Sequence, residues 1–367
     1  MIRVLVVDDS VVVRRLLSDA LSSDPRISVV GSAANGAIAL QKLGRLTTDV
    51  VILDIEMPDM DGIETVRRIR EGWPSLPVIM CSALTARGAD VTLRALAAGA
   101  TDYVTKPSTQ AGQEDRLSSF KVELLAKVIG LGERAASAHS MLRAGVALPL
   151  PQKSRPRQGP ESISALAIGC STGGPNALAE LFENIPAGLP VPIFIVQHMP
   201  ALFTKILADR LAASSGVPVV EAQHGASVEA GHVYLAPGNF HLTVGLDGAR
   251  LVTLLNQDAP ENSCRPAVDV LFRSLAGFFG GGVLGCILTG MGKDGEHGAR
   301  AIVEAGGSVV VQSMDTCVVP GMPRAVIEAG LADMVLPLQH VASELVRRVQ
   351  RAASFRAPVS AFSQREI

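Results

Sequence analysis

The stretch that decides the fold is Arg3-Val4-Leu5-Val6-Val7-Asp8-Asp9, an apolar run that ends in two adjacent carboxylates. Such a run predicts a buried strand, and the amphipathic stretch Val11–Leu21 that follows predicts a helix. Parallel α/β sheets place their ligand sites beyond the carboxyl ends of the strands. The two carboxylates therefore mark a candidate site at one edge of a sheet.

The same strand and helix pattern repeats through residues 1–130. Four further strand candidates are Ile27–Val30, Val50–Leu53, Val78–Cys81 and Asp102–Val104. Because each parallel connection needs a crossover, the alternation predicts a five-stranded parallel sheet covered by helices on both faces. The pattern over residues 116–134 predicts the last helix of this first domain.

Polar residues follow these strands at the edge where their carboxyl ends meet. They are Asp8, Asp9, Asp54, Ser82 and Lys106. Three acids at one edge repel each other unless a divalent cation lies among them, and Mg²⁺ prefers such oxygen ligands. A lysine across the cleft can pair with a phosphoryl oxygen. Any one acid could be a helix cap instead. Together they favour an aspartate that accepts a phosphoryl group.

Residues 1–130 resemble the receiver domain of two-component response regulators, which has a flavodoxin-like fold. The resemblance rests on the segments around Asp8-Asp9, from Leu53 to Gly62, Cys81-Ser82-Ala83 and from Tyr103 to Pro107. It implies that Asp54 is phosphorylated. It further implies Mg²⁺ ligation by Asp9 and Asp54, by Asp8 through water and by the backbone carbonyl of Glu56. By the same resemblance, Ser82 and Lys106 hold the phosphoryl oxygens, and Tyr103 repositions with Ser82.

Composition limits the remaining possibilities. The 367 residues predict two domains, and a formal net charge of -2 argues against a general nucleic-acid binder. The longest uncharged runs, 184–204 and 274–292, are interrupted by prolines and by glycines, so neither predicts a membrane-spanning helix. Five cysteines without a Cys-x-x-Cys pair, and no visible signal peptide, predict a cytoplasmic protein that is not an integral membrane protein.

The chain changes character after the first domain. Dense prolines among basic residues from about residue 135 to 161 predict a semi-extended linker, which is either a solvated tether or a contact for an acidic partner. We divide the chain into a receiver-like domain at 1–130, a linker at 131–161, a second domain at 162–354 and a tail at 355–367. The tail is either frayed or a docking peptide.

The second domain has its own alternating pattern. Its strand candidates are Ile163–Ile168, Ile193–Gln197, Val219–Glu221, His232–Leu235, His241–Val244, Leu251–Leu255, Val283–Leu288 and Ser308–Val311. Its helix candidates are Pro175–Phe182, Leu202–Ala213, Ala267–Phe278, Gly295–Ala305 and Val341–Arg351. The pattern predicts a second, doubly wound α/β domain with an antiparallel hairpin inserted near residues 232–255.

Ser171 lies in Gly169-Cys170-Ser171-Thr172-Gly173, between a strand and a helix. Such a turn exposes a hydroxyl beside free backbone amides, which suits either an attacking serine or an anion site at a helix start. His198 and Asp294 follow two other strands of the domain. Each alone could have a structural role, but together the three supply a nucleophile, a base and an orienting acid. Their order differs from that of α/β-hydrolases.

Residues 163–350 resemble the catalytic domain of the chemotaxis protein-glutamate methylesterase (CheB) family. The matching segments are 168–175, 197–200, 265–269, 288–295 and 321–323. The resemblance implies that Ser171 is the nucleophile, His198 the general base and Asp294 its orienting acid. It also implies an oxyanion site of backbone amides near Met291 and at Thr172. Cys170, Ala267 and the pair Glu296-His297 depart from the pattern we expect there.

The resemblances together imply a phosphorylation-activated enzyme that hydrolyses glutamyl methyl esters on the cytoplasmic parts of chemoreceptors and deamidates specific glutamines. They imply that the unphosphorylated receiver domain blocks the active site. A histidine kinase would be the phosphodonor, Mg²⁺ would serve phosphorylation, and the esterase step would need no cofactor. We expect a monomer that binds no nucleic acid. One competing hypothesis is a non-enzymatic adaptor that consists of a receiver and a binding domain. Another is a transcription factor, which the α/β pattern of the second half disfavours.

Overall fold

The computed structural model describes residues 1–106, 113–144 and 162–354, and the chain divides into two compact units, Met1–Pro149 and Leu150–Ile367. Three sequence predictions fall outside the described residues. They concern Pro107, the part of the linker at 145–161 and the tail at 355–367. None of the helices in the described part of the chain has the length and apolar character that a bilayer-spanning segment needs.

The first unit contains a five-stranded parallel sheet with the order β2-β1-β3-β4-β5, as predicted. Its strands are β1 (Ile2–Val7), β2 (Ile27–Ala33), β3 (Val50–Asp54), β4 (Val78–Ser82) and β5 (Asp102–Thr105). Its helices are α1 (Val11–Ser22), α2 (Gly36–Leu43), α3 (Gly62–Gly72), α4 (Ala86–Ala97) and α5 (Gln113–Ala144). Helix α5 is longer than the predicted helix, and its last turns cover residues that we assigned to the linker.

Local sequence explains where the helices of the first unit begin. Ser10, Asn35, Asp61 and Thr85 stand at the N-caps of α1 to α4, and each side chain accepts a hydrogen bond from a first-turn amide. Such caps typically stabilise a helix by about 1 kcal/mol each. All four caps lie in turns that leave the carboxyl edge of the sheet, which is the edge that carries the acidic residues.

The second unit contains a seven-stranded sheet and a separate antiparallel hairpin. The strands are β6 (Ala165–Cys170), β7 (Ile193–Gln197), β8 (Val219–Glu221), β9 (Val233–Leu235), β10 (His241–Asp247), β11 (Arg250–Asn256), β12 (Val283–Ile287), β13 (Ser308–Gln312) and β14 (Met334–Leu336). The α-helices are α6 (Gly174–Phe182), α7 (Ala201–Ser215), α8 (Val268–Phe279), α9 (Glu296–Glu304), α10 (Gly321–Glu328) and α11 (Leu338–Ser354), and a 3₁₀ turn covers Gly280–Gly282.

The order of the large sheet is β14-β13-β12-β6-β7-β9-β8, and its strand pairs are parallel. The hairpin contains fewer residues than the insertion that we predicted near residues 232–255. It consists of β10 and β11 alone, whereas β9, which we placed in the same insertion, pairs in parallel with β7 and β8. Strand β14 and helix α10 were not predicted.

The arrangement of β12, β6 and β7 positions the candidate site. From β6 the chain builds the sheet first toward β7 and later toward β12, so the strand order reverses beside β6. A crevice opens at the carboxyl ends of strands where the order reverses in this way. Large apolar side chains, including Phe182, Phe194, Phe203 and Phe272, are wholly buried against this sheet. Each contributes about 1.5–3 kcal/mol from burial. The strands that form the crevice are therefore held in place by a well-packed core.

Candidate functional site

The predicted acidic cluster of the first unit forms at the carboxyl edge of its sheet. Carboxylate oxygens of Asp8, Asp9 and Asp54 lie within 4.8 Å of one another. The Lys106 ammonium is 2.8 Å from Asp8 Oδ2 and 2.8 Å from Asp54 Oδ1. Asp8 and Asp54 are buried, whereas Asp9 is exposed. The sheet order explains this convergence, because β1 lies next to β3 and the strand before Lys106 is two positions further along.

Burial and neighbouring charges set the protonation of this cluster. Burial raises the pKa of Asp54 to about 6, the Lys106 ammonium opposes the shift, and the Asp8 carboxylate reinforces it. Burial disfavours the Lys106 cation, but its hydrogen bonds with Asp54 and Asp8 outweigh burial and raise its pKa. The negative charges outnumber the positive ones, so the cluster favours binding of a further cation.

Oxygen ligands of this kind suit Mg²⁺, which coordinates carboxylates and waters. The carboxylates of Asp8, Asp9 and Asp54 are the residues that fit it. A surface cleft of about 520 Å³ next to them is lined by apolar residues and by the charged residues Asp9, Glu56, Asp61, Arg87 and Arg94. The Glu56 side chain is exposed, and its carboxylate lies 3.6 Å from Arg87.

The predicted switch residues Ser82 and Tyr103 are both buried and lie on neighbouring strands. Ser82 Oγ accepts a hydrogen bond of 2.6 Å from Thr92 Oγ1 and lies 3.2 Å from the carbonyl of Gly88. The Tyr103 side chain packs under the Lys127 ammonium, which is 4.9 Å from the ring centroid. Ser82 is therefore hydrogen-bonded to helix α4, and Tyr103 is in contact with helix α5 through Lys127.

In the second unit, strand register brings Ser171 and His198 next to each other. Cys170, the last residue of β6, pairs with Gln197, the last residue of β7. The following residues, Ser171 and His198, therefore leave the sheet side by side. Gln197 strengthens this link, because its Nε2 donates to the carbonyl oxygens of Ser171 at 3.0 Å and His198 at 3.2 Å.

Two glycines allow the turn at Ser171 to form. Gly173 has a φ of 77°, and a Cβ there would meet the side chain of Val318 at 2.5 Å, so this N-cap of α6 requires glycine. A Cβ on Gly290 would lie 2.9 Å from Ser171 Cβ and 2.2 Å from Met322 Sδ. The segment after β12 thus passes directly against the serine.

His198 bonds to Asp294 through a ring nitrogen, with 2.8 Å between His198 Nε2 and Asp294 Oδ2. The carboxylate also accepts from the backbone amides of Val268 at 2.7 Å and Asp269 at 3.1 Å. These are the first amides of α8, whose N-cap residue Ala267 has no capping side chain. Asp294 therefore caps α8, and the partial positive charge at the helix start stabilises its anion.

The bond between His198 and Asp294 affects the pKa of both side chains. Burial opposes the His198 cation, but the hydrogen bond with Asp294, aided by Cys264, outweighs burial and raises the His198 pKa. Burial likewise opposes the Asp294 anion, but His198 and the α8 amides outweigh it and lower the Asp294 pKa. Asp294 thus remains ionised and makes His198 a stronger base. Nε2 is bonded to Asp294, whereas Nδ1 has only the longer contact of 3.5 Å with the Cys264 sulfur, so Nδ1 is the nitrogen that can accept a proton.

Three residues of this site were not predicted, namely Asn262, Cys264 and Asp269. Cys264 Sγ is 3.5 Å from His198 Nδ1, and the Asn262 amide bonds to both Asp269 and Asp294. Asp269 is buried and accepts from the amides of Gly295 and Gly298. An acid at the buried start of a helix was the available sequence signal for Asp269. Asn262 and Cys264 lie in an irregular loop that has no periodicity to place them.

The two candidate oxyanion amides, those of Thr172 and Met291, belong to segments next to Ser171. Thr172 follows the serine, and Met291 follows Gly290, which packs against Ser171. Neither amide donates a hydrogen bond to any of the residues that the structure describes, so both are available to an oxyanion. The Ser171 hydroxyl, too, has no hydrogen bond within residues 1–106, 113–144 and 162–354. In structures without substrate such catalytic bonds are often not yet formed.

Two family models match the chain. Residues 4–117 match the response regulator receiver domain, and residues 166–345 match the CheB methylesterase. The chain resembles curated proteins over nearly its whole length. A protein-glutamate methylesterase/protein-glutamine glutaminase of Nocardioides is 49% identical over 99% of both chains. A protein of the same name from Trichodesmium erythraeum is 46% identical over 95% of this chain and 99% of its own.

The second unit is similar to a catalytic domain of known structure. The crystal structure of the Thermotoga maritima CheB methylesterase catalytic domain superposes with a TM-score of 0.50 and is 43% identical in sequence. The match covers 51% of this chain and 99% of that domain. The fold of a whole catalytic domain is therefore present here, together with a receiver domain in the same chain.

Proposed function

This chain belongs to the CheB methylesterase family, and from that membership and the geometry of its site we propose that it is a phosphorylation-activated hydrolase of glutamyl methyl esters on chemoreceptors. The observation that carries the proposal is the convergence of Ser171, His198 and Asp294 at the ends of three adjacent strands. The class of enzyme is a carboxylic-ester hydrolase, as the curated relatives are named.

In the proposed reaction, the Ser171 hydroxyl attacks the ester carbonyl and His198 accepts its proton at Nδ1. Asp294 stabilises the imidazolium that forms and keeps the ring oriented. The amides of Thr172 and Met291 donate to the developing oxyanion, an interaction that typically contributes about 10²–10³ in rate per donor. His198 then returns the proton to the departing methoxide, which leaves as methanol. Water hydrolyses the acyl-enzyme with His198 again acting as base.

The same residues support deamidation of glutamine side chains, since an amide and an ester pass through similar tetrahedral intermediates. In that reaction His198 protonates the leaving amine, and ammonia replaces methanol as the product. The relatives' names include both activities.

We propose that Asp54 is the phosphorylated residue of the receiver domain. Its carboxylate ends β3 and lies 2.8 Å from the Lys106 ammonium, which would pair with the transferred group. Asp8, Asp9 and Asp54, with the Glu56 carbonyl, would hold Mg²⁺. When bound, Mg²⁺ neutralises phosphoryl charge during the transfer. Ser82 and Tyr103 would rearrange after phosphorylation, and a histidine kinase would be the phosphodonor.

The regulatory part of the proposal is that the unphosphorylated receiver domain restricts access to Ser171 and that phosphorylation shifts the population toward an open arrangement. The presence of a phosphorylation site and an esterase site in one chain supports it. Because the proposed substrates are the cytoplasmic parts of receptors, the proposed location is the cytoplasm, and the proposed state is a monomer. The esterase residues supply nucleophile, base and oxyanion donors, so we propose that this step needs no cofactor.

Methanol release from methylated receptor membranes tests the esterase. We expect release by the wild-type chain and none by Ser171→Ala, while Ser214→Ala, a serine on α7 that bonds to its own helix, should behave as wild type. Equal release by wild type and Ser171→Ala would exclude Ser171 as nucleophile. No release by either protein, with Asp54 still phosphorylated, would favour the adaptor hypothesis.

A further inference from the structure

A bridge between two buried carboxylates lies next to the proposed catalytic histidine. The Asn262 amide nitrogen donates to Asp269 Oδ2 at 2.8 Å and to Asp294 Oδ1 at 3.0 Å. Asp269 Oδ1 accepts from the amides of Gly295 at 3.0 Å and Gly298, so both acids are anchored to the same turn. Without a donor between them, two carboxylates this close repel each other.

The backbone at Asn262 is specialised for this contact. Asn262 and its neighbour Ser263 both have positive φ values, 51° and 63°. Asparagine adopts this left-handed conformation more readily than most residues. Asn262 is exposed, but its side-chain amide reaches the two buried acids. Ser263 shares the backbone conformation but makes no hydrogen bond among the described residues.

We propose that Asn262 is a positioning residue for the esterase, whose side-chain amide bridges Asp269 and Asp294 and holds Asp294 as the ionised acid against His198. The proposal rests on the proposed function of the Ser171, His198 and Asp294 site. Asn262 lies within the residues that match the family model but outside the five short motifs, 168–175, 197–200, 265–269, 288–295 and 321–323.

The two acids have opposite tendencies, which fits this arrangement. Burial raises the pKa of Asp269, helped by the Asp294 charge, whereas Asp294 has a lowered pKa. When two neighbouring acids differ in this way, a proton that enters the pair goes to Asp269 and leaves Asp294 charged. The other ionisable groups that face the bridge are His198 and Cys264 beside Asp294, and the ion pair of Glu261 with Arg273.

Loss of the Asn262 amide should raise the pKa of each ionisable group in the site, because it removes a hydrogen-bond donor to the carboxylates. Without the Asn262 amide, the carboxylates are less stabilised as anions, and the His198 imidazolium faces a more negative environment. An additional carboxylate at position 262 would act in the same direction more strongly. An opposite charge within about 4–6 Å raises the pKa of a cation such as His198 by about 1–3.

The test uses the full chain with Asn262→Asp, which keeps the side-chain shape, and Asn262→Gly, which accepts the positive φ without strain. Ser263→Gly is the matched control. The NMR titration of the His198 ring, assigned with His198→Gln, does not depend on activity. We expect the His198 pKa to rise by about 1 or more in Asn262→Asp, to rise less in Asn262→Gly and to stay unchanged in Ser263→Gly.

The pH profile of methanol release should change in the same way. The acidic limb should move to higher pH in both Asn262 variants, and activity should recover at higher pH. If the His198 pKa rises by about 1, release at a fixed acidic pH should fall about tenfold. An unchanged His198 pKa in either Asn262 variant, or a loss of activity that does not depend on pH, would overturn the proposal. Failure of the esterase proposal itself would appear separately, as release that does not require Ser171.

Discussion

Asp54 and Asp294 are both buried aspartates, yet their neighbours give them opposite proton affinities. Asp54 has Asp8 nearby and a single lysine between them, and its pKa is raised to about 6. Asp294 accepts from two helix amides, an asparagine and His198, and its pKa is lowered. Such differences assign different chemistry to the same residue type. Asp54 is suited to bind a cation and a phosphoryl group, and Asp294 to remain an anion.

The raised pKa of Asp54 predicts the effect of Asp54→Asn in Mg²⁺-free buffer. The folded-state pKa lies above the ordinary value of 3.8, so ionisation destabilises the fold as the pH rises through about 6. At pH 7 the variant should be more stable by up to about 3 kcal/mol, and the difference should vanish near pH 4. Chemical denaturation at the two pH values measures this.

The exposed Asp19, on α1, provides the control, since Asp19→Asn should change stability little at either pH. Addition of Mg²⁺ should stabilise the wild type and not Asp54→Asn. A wild type that is more stable than Asp54→Asn in Mg²⁺-free buffer at pH 7 would contradict the prediction.

Cys264 predicts a second pH effect. Its sulfur is 3.5 Å from His198 Nδ1 and contributes to the raised His198 pKa. Cys264→Ala should therefore lower the His198 pKa toward its ordinary value of 6.5 and move the acidic limb of methanol release to lower pH. Cys264→Ser replaces the thiol with a hydroxyl, which can still form a hydrogen bond, and should shift the limb less. A shift to higher pH in the alanine variant would show that the thiol does not stabilise the imidazolium.

The sequence was informative for residues that end strands. Asp8, Asp54 and Lys106, and likewise Ser171 and His198, follow apolar runs whose carboxyl ends must meet at one edge of a parallel sheet. Their proximity followed from that rule alone. Asn262 and Cys264 could not be placed in this way, because the irregular loop that carries them is positioned by tertiary contacts. The sequence also could not show which ring nitrogen of His198 bonds to Asp294.

At the scale of elements, the buried strands were the most predictable. The predicted bounds of β7 and β8 agree with the structure, because short apolar runs between turn residues have few alternatives. The short edge strand β14 was missed although its three residues are all apolar, and it is half-buried throughout. Strand β9 is only three residues long, and its parallel pairing with β7 depends on the path of the intervening chain. Pairing partners of this kind are not encoded locally.

The turn after β12 predicts the effect of Gly290→Ala. The new methyl group would lie 2.2 Å from Met322 Sδ and 2.9 Å from Ser171 Cβ, so Met322 or the serine must move. We expect a loss of stability of about 1–3 kcal/mol and a fall in methanol release of about tenfold or more. Thermal unfolding and hydrolysis assays measure the two effects.

Gly277→Ala is the matched control for this substitution. Nothing lies within 4 Å of a Cβ at Gly277, which is inside helix α8. Alanine there should raise stability by about 0.5–1 kcal/mol and leave hydrolysis unchanged. If Gly290→Ala hydrolysed esters at the wild-type rate, Gly290 would not need to pack closely against the serine.

At the scale of the whole molecule, the chain joins two α/β units that use the same physical device for different chemistry. In each unit, the site lies at the carboxyl ends of neighbouring parallel strands near a reversal of strand order. Both sheets could be predicted, because alternating strands and helices leave few other topologies. The full length of helix α5 could not be predicted, because the apolar periodicity of its sequence is weak beyond the first domain.

The separation of the two sites predicts the effect of removing Mg²⁺. The proposed metal ligands all belong to the first unit, and the proposed esterase residues all belong to the second. A chelator should therefore abolish stimulation of methanol release by a small phosphodonor and leave the unstimulated release unchanged. Restoration of stimulation by added Mg²⁺ is the control. Loss of the unstimulated release would indicate that a metal acts in the esterase site.

We propose that phosphorylation of Asp54 controls hydrolysis at Ser171. The most direct measurement is methanol release from methylated receptor membranes with Mg²⁺, with and without a small phosphodonor. The proteins compared are wild type, Asp54→Ala and Ser171→Ala. We predict stimulated release by the wild type, unstimulated release alone by Asp54→Ala, and none by Ser171→Ala. Stimulation that persists in Asp54→Ala would show that Asp54 does not control hydrolysis, and release that persists in Ser171→Ala would exclude Ser171 as the nucleophile.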